Sequence, residues 1–419
     1  MVRTSLDGAL VADMVARLSE VDTYPGDAGG RQPVHTCYVP ADAVTGDVAA
    51  EWGAGARAAL AEHAHGSWVL SEVLGLPGDL AETVHEKVLA KLSREPVEDL
   101  RIDFEDGYGL RDEETEDADA VRCAELVAGW PSPPPWLGIR FKSFDTTALL
   151  RRGVRTLDVF TTTLVERAGG LPDGFTLTFP KVTDVAQVGV LCDLLGALER
   201  RLGLADGRLR FEIQVETTQS IVDSAGRLAL PRFIAAGAGR VSALHFGTYD
   251  YTAACGLVAA EQHLAHGACD FARHVMQVSA AGTGVRLSDG STNVLPVGDR
   301  ESVHRGWRTH YDLVHRSLAH GFFQGWDLHP AQLVTRYAAT FAFYLAGAAA
   351  DARRLRSYID STGKVGGTGG IADEPATAQA LAMSLRRAVD CGALSAEEVA
   401  GLCGLSAADL DALVRREMR

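Results

Sequence analysis

The chain has 419 residues with a formal net charge of −15, and 47% of its residues are hydrophobic, which is enough apolar material for a full core. The negative charge argues against nucleic acid or an anionic membrane surface as a partner. No run approaches the roughly 18 apolar residues of a membrane-spanning helix. Seven scattered cysteines without a Cys-x-x-Cys pair, and an N-terminus without an apolar signal core, predict a cytoplasmic protein with reduced thiols.

The start of the chain, residues 1–33, predicts an N-terminal extension with a helix over Leu10–Leu18. Eight later segments have the composition of strands, and most are separated by segments of helical pattern. They begin near His35, Leu100, Trp136, Phe175, Leu209, Val241, Val285 and Gly321. This order predicts an α/β fold, a (β/α)8 or TIM barrel, over residues 34–335. An open doubly wound sheet is the alternative, but no Gly-x-Gly-x-x-Gly follows a strand to support it.

The end of the chain, residues 336–419, predicts a C-terminal helical extension. Its last part reads as two small helices, each starting at a serine cap, Ser395 and Ser406. Between the helical patterns lies a glycine-rich stretch at 363–370, which lacks the Gly-Lys-Ser/Thr order of a phosphate-binding P-loop. A mobile lid or tether is therefore the preferred interpretation of this stretch.

Ionisable residues stand at nearly every predicted strand end. They are Asp103, Glu105, Asp106, Arg140, Lys142, Lys181, Glu216, Asp250, Asp327 and His329. In a barrel the carboxyl ends of the strands meet at one mouth, where barrel enzymes carry their chemistry. A purely structural barrel does not need such a set, so the pattern predicts an active site. For the acidic stretch Asp103–Asp106 alone, a solvated turn is an equally good interpretation.

Glu216 and Asp250 are the best candidates for metal ligands, because they follow consecutive strands and their carboxylates can converge. Two carboxylates with open positions suit Mg²⁺ or Mn²⁺, and no Cys or His pair lies beside them to suggest zinc. In the alternative, Glu216 only forms a salt bridge with Arg140 or Lys181.

Substrate binding is predicted from three further features. Backbone N–H groups of Gly247, Thr248 and Tyr249 could bind a substrate carboxylate. The Arg140 guanidinium could stabilise an enolate oxygen, unless it merely pairs with Glu105. Lys181 could contact substrate or form a Schiff base with a keto acid, although nearby carboxylates would keep its amine charged.

Several motifs occur in one order along the chain. They are Asp103-Phe104-Glu105-Asp106-Gly107, Ile139-Arg140-Phe141, Phe179-Pro180-Lys181-Val182, Val215-Glu216-Thr217-Thr218, Phe246-Gly247-Thr248-Tyr249-Asp250 and His329-Pro330-Ala331-Gln332. Together they resemble the HpcH/HpaI aldolase–citrate lyase β-subunit family, which includes malyl-CoA lyases. The resemblance covers roughly residues 34–335. It implies a barrel that binds Mg²⁺ at Glu216 and Asp250, an enolate held by Arg140, and a homo-oligomer, a trimer or a hexamer.

We therefore expect a Mg²⁺-dependent carbon–carbon lyase or aldolase acting on a small 2-oxo or 3-hydroxy acid, as the free acid or as a CoA thioester. Asp106 or Asp327 would move the proton, and Glu105 would orient Arg140 or a metal-bound water. One alternative is a Schiff-base aldolase that uses Lys181. Another is a catalytically silent barrel that binds a metabolite, or a partner protein through its C-terminal helices.

Overall fold

The computed structural model describes residues 7–19, 24–27, 29–360, 366–368 and 371–415. Eight of its strands form one parallel sheet in the order β7-β6-β5-β4-β3-β2-β1-β8. They are β1 His35–Pro40, β2 Asp99–Asp103, β3 Trp136–Arg140, β4 Phe175–Phe179, β5 Phe211–Val215, β6 Val241–Phe246, β7 Arg286–Ser288 and β8 Gly325–Asp327. The predicted (β/α)8 barrel with helical extensions is confirmed.

The two edges of the sheet meet and close the barrel. A parallel bridge joins Ser288 to Gln324, and the Asp289 N–H donates to the Gln324 carbonyl at 2.8 Å. The Gln32 side chain spans this seam, since its amide donates to the Leu287 carbonyl at 3.0 Å and to the Gln324 side chain at 3.1 Å. The chain ahead of β1 thus helps to hold the seam together.

Successive side chains along each strand point alternately into the barrel and towards the surrounding helices. In β2, Leu100 and Ile102 are fully buried in the apolar layer. Arg101, between them, turns inward and donates from Nη2 to Glu212 of β5 at 2.7 Å. The same guanidinium pairs with Asp99. The interior of the barrel is therefore charged and paired, while the apolar core lies between strands and helices.

The helices connect the strands and form the extensions. They are α1 Gly8–Ser19, α2 Val48–His63, α3 Ser67–Leu74, α4 Ala81–Arg94, α5 Glu113–Gly129, α6 Thr147–Ala168, α7 Val185–Leu202, α8 Thr218–Ile221, α9 Leu230–Ala236, α10 Thr248–Ala254, α11 Gly267–Ala280, α12 Arg300–Ala319, α13 Gln332–Asp360, α14 Pro375–Cys391, α15 Ala396–Cys403 and α16 Ala407–Val414. Within the described segments, no helix is both long enough and apolar enough to cross a bilayer.

The C-terminal extension is continuous with the barrel, because α13 begins in the last loop and runs through the predicted division between residues 335 and 336. Helix α14 packs on α13, and α16 packs on α14. Ser395 and Ser406 cap α15 and α16 as predicted from their capping boxes. Within the glycine-rich stretch, 366–368 form strand β9 beside β10, Ile371–Asp373, while 363–365 and 369–370 lie outside the described residues.

Candidate active site at the carboxyl mouth

A cluster of charged side chains lies at the carboxyl ends of the strands, around the Lys181 ammonium. Its Nζ lies 2.8 Å from Asp106 Oδ2 and 3.2 Å from Asp250 Oδ2. The buried carboxylates of Glu105 and Glu216 lie 3.3 and 4.0 Å from the same nitrogen. Four strand ends thus converge on one point, as the sequence pattern predicted.

Arg140 forms the second cationic group of the cluster and is held by Asp103, the residue beside it in the β2–β3 register. Its Nε and Nη2 donate to the two oxygens of Asp103 at 2.6 and 2.5 Å, which is a bidentate pair. Nη1 lies 3.5 Å from Glu105 Oε2. Asp103 also accepts the N–H groups of Glu105 and Gly107, at 2.9 and 2.8 Å. The guanidinium is therefore fixed in orientation, with Nη1 towards the cluster.

Glu216 follows β5 and is almost fully buried. Its Oε1 accepts the backbone N–H of Lys181 at 2.8 Å. Lys181 has a positive φ of 51°, a strained conformation for a non-glycine residue that persists only where the surroundings impose it. Gly247 lies against the other side of Glu216, where an added Cβ would be 2.4 Å from the Glu216 Cβ. Backbone on both sides therefore fixes this carboxylate.

Gln214 links the two halves of the cluster from its position below Glu216 on β5. With its amide oriented to satisfy both neighbours, the oxygen accepts from Arg140 Nη1 at 3.2 Å. The nitrogen then donates to Glu216 Oε1 at 3.3 Å. The guanidinium and the metal-ligand candidate are thus joined by one neutral side chain.

The electrostatics of the cluster are dominated by an excess of carboxylates. Burial raises the pKa of Glu105 to about 7, although Arg140 and Lys181 oppose this. Burial, with repulsion from Asp250 and Glu105, raises the pKa of Glu216 to about 8. Burial would lower the pKa of Lys181, but the surrounding carboxylates outweigh it and raise that pKa. The amine is therefore held as an ammonium, and two carboxyl groups bind protons near neutral pH.

Asp106 and Asp250 form the exposed rim of the cluster, with 56% and 45% of their side-chain surfaces accessible. Burial would raise the pKa of Asp106, but its ion pair with Lys181 lowers it. A cleft of about 220 Å³ opens beside Asp106 and Lys181 and is also lined by Ser143 and Asp145. This cleft is wide enough for a small acid next to the cluster.

The predicted carboxylate-binding loop after β6 is partly used by the fold itself. The Gly247 N–H donates to the Val215 carbonyl at 3.0 Å, so it is not available to a substrate. Helix α10 starts at Thr248, and the N–H groups of a first helical turn lack partners within the helix. Tyr249 does not face the cluster with a free hydroxyl, because its oxygen accepts the Asn293 N–H at 2.6 Å. The N–H groups of Thr248 and Tyr249 are therefore what this loop could offer to a substrate carboxylate.

Asp327 does not join the cluster, which is a correction to its predicted place in proton transfer. Its side chain points out of the barrel, where Arg336 Nη2 of α13 lies 2.8 Å away. His35 and His310 approach its carboxylate at 2.9 and 3.1 Å. Burial would raise the pKa of Asp327, but Arg336 and the two histidines lower it far below its usual range. Asp327 therefore fastens helices to the barrel wall.

The group formed by His35, Cys37 and Asp327 brings three ligand types within 4.8 Å of one another. However, His35 Nε2 accepts the Glu98 N–H at 3.0 Å, so the ring proton is on Nδ1 and points at Asp327. Arg336 already occupies the same carboxylate. A cation would meet a guanidinium and an N–H donor there, so this group is a hydrogen-bonded network.

From the sequence, Gln214 was missed and Asp103 was named without its role at Arg140, and Lys142, like Asp327, lies away from the cluster. Asp103 and Gln214 hold Arg140, a role that had been assigned to Glu105 alone. The shared position of Asp103 and Arg140 at the ends of neighbouring strands was the available signal. Lys142 turns away from the cluster and donates to the carbonyls of Phe104 and Gly109 at 2.6 and 3.0 Å.

The model of the family described as a domain of unknown function, DUF6986, matches residues 12–418. The chain belongs to this family. No curated protein matches the sequence. The match covers nearly the whole chain, but the description of the family names no activity.

Solved structures show what the fold resembles. A citrate lyase from Burkholderia xenovorans LB400 superimposes with a TM-score of 0.56 at 18% identity, over 89% of this chain and 97% of that chain. A malate synthase from Haloferax volcanii in a magnesium and glyoxylate complex gives a TM-score of 0.48 at 17% identity, over 73% and 75%. Its pyruvate and acetyl-CoA complex gives 0.46 at 14% identity, over 92% and 98%. Only the first likeness is close enough to show a shared fold, that of a citrate lyase.

Proposed function

We propose that this protein is a Mg²⁺-dependent carbon–carbon lyase or aldolase that acts on a small 2-oxo or 3-hydroxy acid. One observation carries the proposal. Five carboxylates, Asp103, Glu105, Asp106, Glu216 and Asp250, surround only two cations, Arg140 and Lys181. Five negative and two positive charges leave an excess of three when all are ionised. A divalent cation with an acidic substrate is the chemistry that such a site accommodates.

The donor set fits Mg²⁺ or Mn²⁺. Both ions prefer oxygen ligands and keep positions open for water and substrate. Glu216 and Asp250 would hold the metal, because Glu216 is fixed by backbone on two sides and Asp250 reaches the cluster from the next strand. When bound, the ion would polarise a substrate carbonyl and stabilise negative charge on its oxygen. The citrate lyase fold supports the same assignment.

Arg140 would act on the developing enolate oxygen. Asp103 occupies its Nε and Nη2, so only Nη1 is directed at the cluster, and that donor is held in place before the substrate arrives. A preorganised donor stabilises charge in the transition state without reorganisation. Asp103 and Gln214 would be positioning residues, since they act through Arg140.

Asp106 would move the proton between the substrate hydroxyl and the departing carbon. It lies on the rim beside the cleft, and Lys181 keeps it ionised, so it can accept a proton. The sequence predicted either Asp106 or Asp327 for this step, and Asp327 lies on the outer wall of the barrel, which leaves Asp106. Glu105, which is buried between Arg140 and Lys181, would hold these two cations in position.

Lys181 has less support as a Schiff-base nucleophile. The attacking amine must be neutral, whereas carboxylates raise the pKa of this lysine. Lys181 would instead neutralise the cluster and bind the substrate carboxylate. Borohydride treatment in the presence of pyruvate should therefore leave no adduct on the protein.

The deciding experiment is calorimetric titration with Mn²⁺ and Mg²⁺ of the wild type, Glu216→Gln and Asp250→Asn. Both substitutions should weaken binding by more than about a hundredfold, beyond the loss typical of groups that merely orient a ligand. Glu72→Gln, an exposed acid on α3, is the matched control and should bind as the wild type does. Undiminished metal affinity in Asp250→Asn would contradict the assignment.

The reaction is tested with the same variants. Oxaloacetate and small 3-hydroxy acids, each offered free and as a CoA thioester, should show cleavage that stops when the metal is chelated. Neither turnover nor metal binding in the wild type would favour the silent metabolite-binding barrel instead. The trimer or hexamer stays a prediction that sedimentation can check.

A further inference from the structure

The opposite, N-terminal mouth of the barrel holds a second cavity, of about 360 Å³. Its wall includes the first residues of several strands, namely Asp99 of β2, Trp136 of β3, Phe175 of β4 and Arg286 of β7. Arg210, which directly precedes β5, completes it from one side. These residues open a strand or directly precede one, so the cavity lies at the end of the barrel opposite the carboxylate cluster.

The charges around this cavity do not balance. Arg101 pairs with both Asp99 and Glu212, which are the buried acids of the wall. Three more arginines line the cavity, Arg208, Arg210 and Arg286. None of these three forms an ion pair with any residue that the structure describes. Asp173, exposed at the rim, is the further acid of the wall, so three guanidinium groups without an ion pair share this opening with one carboxylate.

Arg286 is the least compensated of the three. It is half-buried, and Nη2 donates to the Gly29 carbonyl at 3.1 Å. The two acids that raise the pKa of Arg286 already have other partners. Asp99 pairs with Arg101, and Asp390 Oδ1 lies 2.6 Å from Arg386 Nη1. Burial, together with repulsion from Arg210, lowers the pKa of Arg286. Buried charges in proteins are normally paired, so a bound anion would supply the counter-charge that this side chain lacks.

We propose that the N-terminal mouth is a binding site for a small multivalent anion, a phosphate or polycarboxylate group. Guanidinium forks match the oxygens of both groups with paired hydrogen bonds. Arg286 would bind the anion from within the cavity, and Arg210 would close over it from the exposed side. Arg208 contributes mainly charge, because its Nη2 already donates to the carbonyls of Leu171 and Pro172.

The site is independent of the proposed lyase chemistry. It shares no residue with the carboxylate cluster, which carries an excess of negative charge when no divalent cation is bound, so the titrations are made without added metal. Glu216→Gln should therefore bind the anion as the wild type does. This separates a failure of the anion site from a failure of the proposed function.

The test is calorimetric titration with inorganic phosphate and, in parallel, with citrate. Binding to the wild type should weaken roughly tenfold or more in Arg286→Gln and in Arg210→Gln, the loss expected for one charge-assisted hydrogen bond. Arg151→Gln, an exposed arginine on α6, is the matched control and should change nothing. A tighter complex with phosphate assigns a phosphoryl ligand, and a tighter complex with citrate assigns a polycarboxylate.

Folding is controlled by Arg286→Lys, which keeps the charge but loses the guanidinium fork and should bind more tightly than Arg286→Gln and less tightly than the wild type, and by circular dichroism of every variant. Arg210 is exposed, so its substitution tests the site even if Arg286→Gln unfolds. The proposal is overturned if the wild type binds neither probe. It is also overturned if the Arg210 variant binds both probes with wild-type affinity.

Discussion

The two mouths of this barrel carry opposite excesses of charge. At the carboxyl mouth, five carboxylates surround Arg140 and Lys181. At the N-terminal mouth, Asp99 and Glu212 pair with Arg101, and three further arginines share the cavity with one exposed acid, Asp173. The barrel thus has an excess of carboxylates at one end and an excess of arginines at the other. The direction of the strands decides at which end a residue lies.

The same contrast is visible in single carboxylates. Glu216 at the carboxyl mouth has a pKa raised to about 8 because burial and neighbouring acids disfavour its charge. Glu95, near the N-terminal mouth, is also partly buried, and burial alone would raise its pKa. Arg31 and Lys91 outweigh that effect and lower it to about 2. What differs between these two carboxylates is the number of cations within reach.

The largest effect is expected for Asp327, which belongs to neither mouth. Asp327→Asn removes the charge that Arg336, His35 and His310 share. Breaking one partner of a buried ion pair should cost about 3–5 kcal/mol in the free energy of unfolding. Denaturant unfolding measures this, and the folded variant should still bind Mn²⁺. Asp106→Asn, on the exposed rim, is the control and should lose far less stability.

A comparable effect, on rate, is expected for Arg140. Arg140→Gln removes the preorganised donor, so kcat should fall by about 10²–10³, the typical loss for one such group. Metal affinity should change little, because Arg140 is not a ligand. Steady-state kinetics beside Mn²⁺ titration separates the two quantities. A fall in metal affinity as large as the fall in kcat would mean that the guanidinium only holds the cluster together.

Acid stability should report on Glu95. Its folded pKa of about 2 lies below the ordinary 4.5, so its stabilisation is present above pH 4.5 and is lost as the pH falls from there towards 2. A pKa lowered from 4.5 to about 2 corresponds to about 3 kcal/mol in the free energy of unfolding. Glu95→Gln should flatten the pH dependence of the unfolding free energy in this window by up to that amount. An unchanged slope would contradict the lowered pKa of Glu95.

The smallest effect is expected at Gly247, where an added Cβ would lie 2.4 Å from the Glu216 Cβ. Gly247→Ala should displace Glu216 and weaken Mn²⁺ binding about tenfold, as for other groups that orient a ligand. Gly189→Ala on α7 is the matched control, since a Cβ there meets nothing within 4 Å. Equal metal affinities in the two variants would show that Glu216 is not held by this contact.

The sequence predicts the barrel because eight strand patterns and the helices between them are local signals. It also predicts which residues converge, since strand ends meet at one mouth. It does not settle the side on which a residue lies when a strand is short. Trp326 faces the interior and stacks on Tyr38 with ring centroids 4.6 Å apart. Its neighbour Asp327 must then face outwards, but β8 has only three residues, which is too few for alternation to show this.

Partners across the barrel are equally hidden from the sequence. The pairing of Arg140 with Asp103 needs the register of β2 and β3, and the pairing of Arg101 with Glu212 joins strands that are not neighbours. Strand β7 illustrates the same limit. It was predicted to begin near Val285, and it runs only from Arg286 to Ser288, because the residues after it turn towards β8 and close the barrel.

The closure of the barrel has a consequence for its motion. Strands β7 and β8 have three residues each, and in the described part of the chain a single bridge joins Ser288 to Gln324. Segments with few backbone hydrogen bonds open at the lowest free energy, so amide hydrogen exchange should be fastest along this seam. The Gln32 side chain links the two sides of the seam, with one hydrogen bond to Leu287 and one to Gln324. The residues ahead of the first strand therefore influence how long the barrel stays closed, and one of them, Gly29, also accepts a hydrogen bond from Arg286 at the N-terminal mouth.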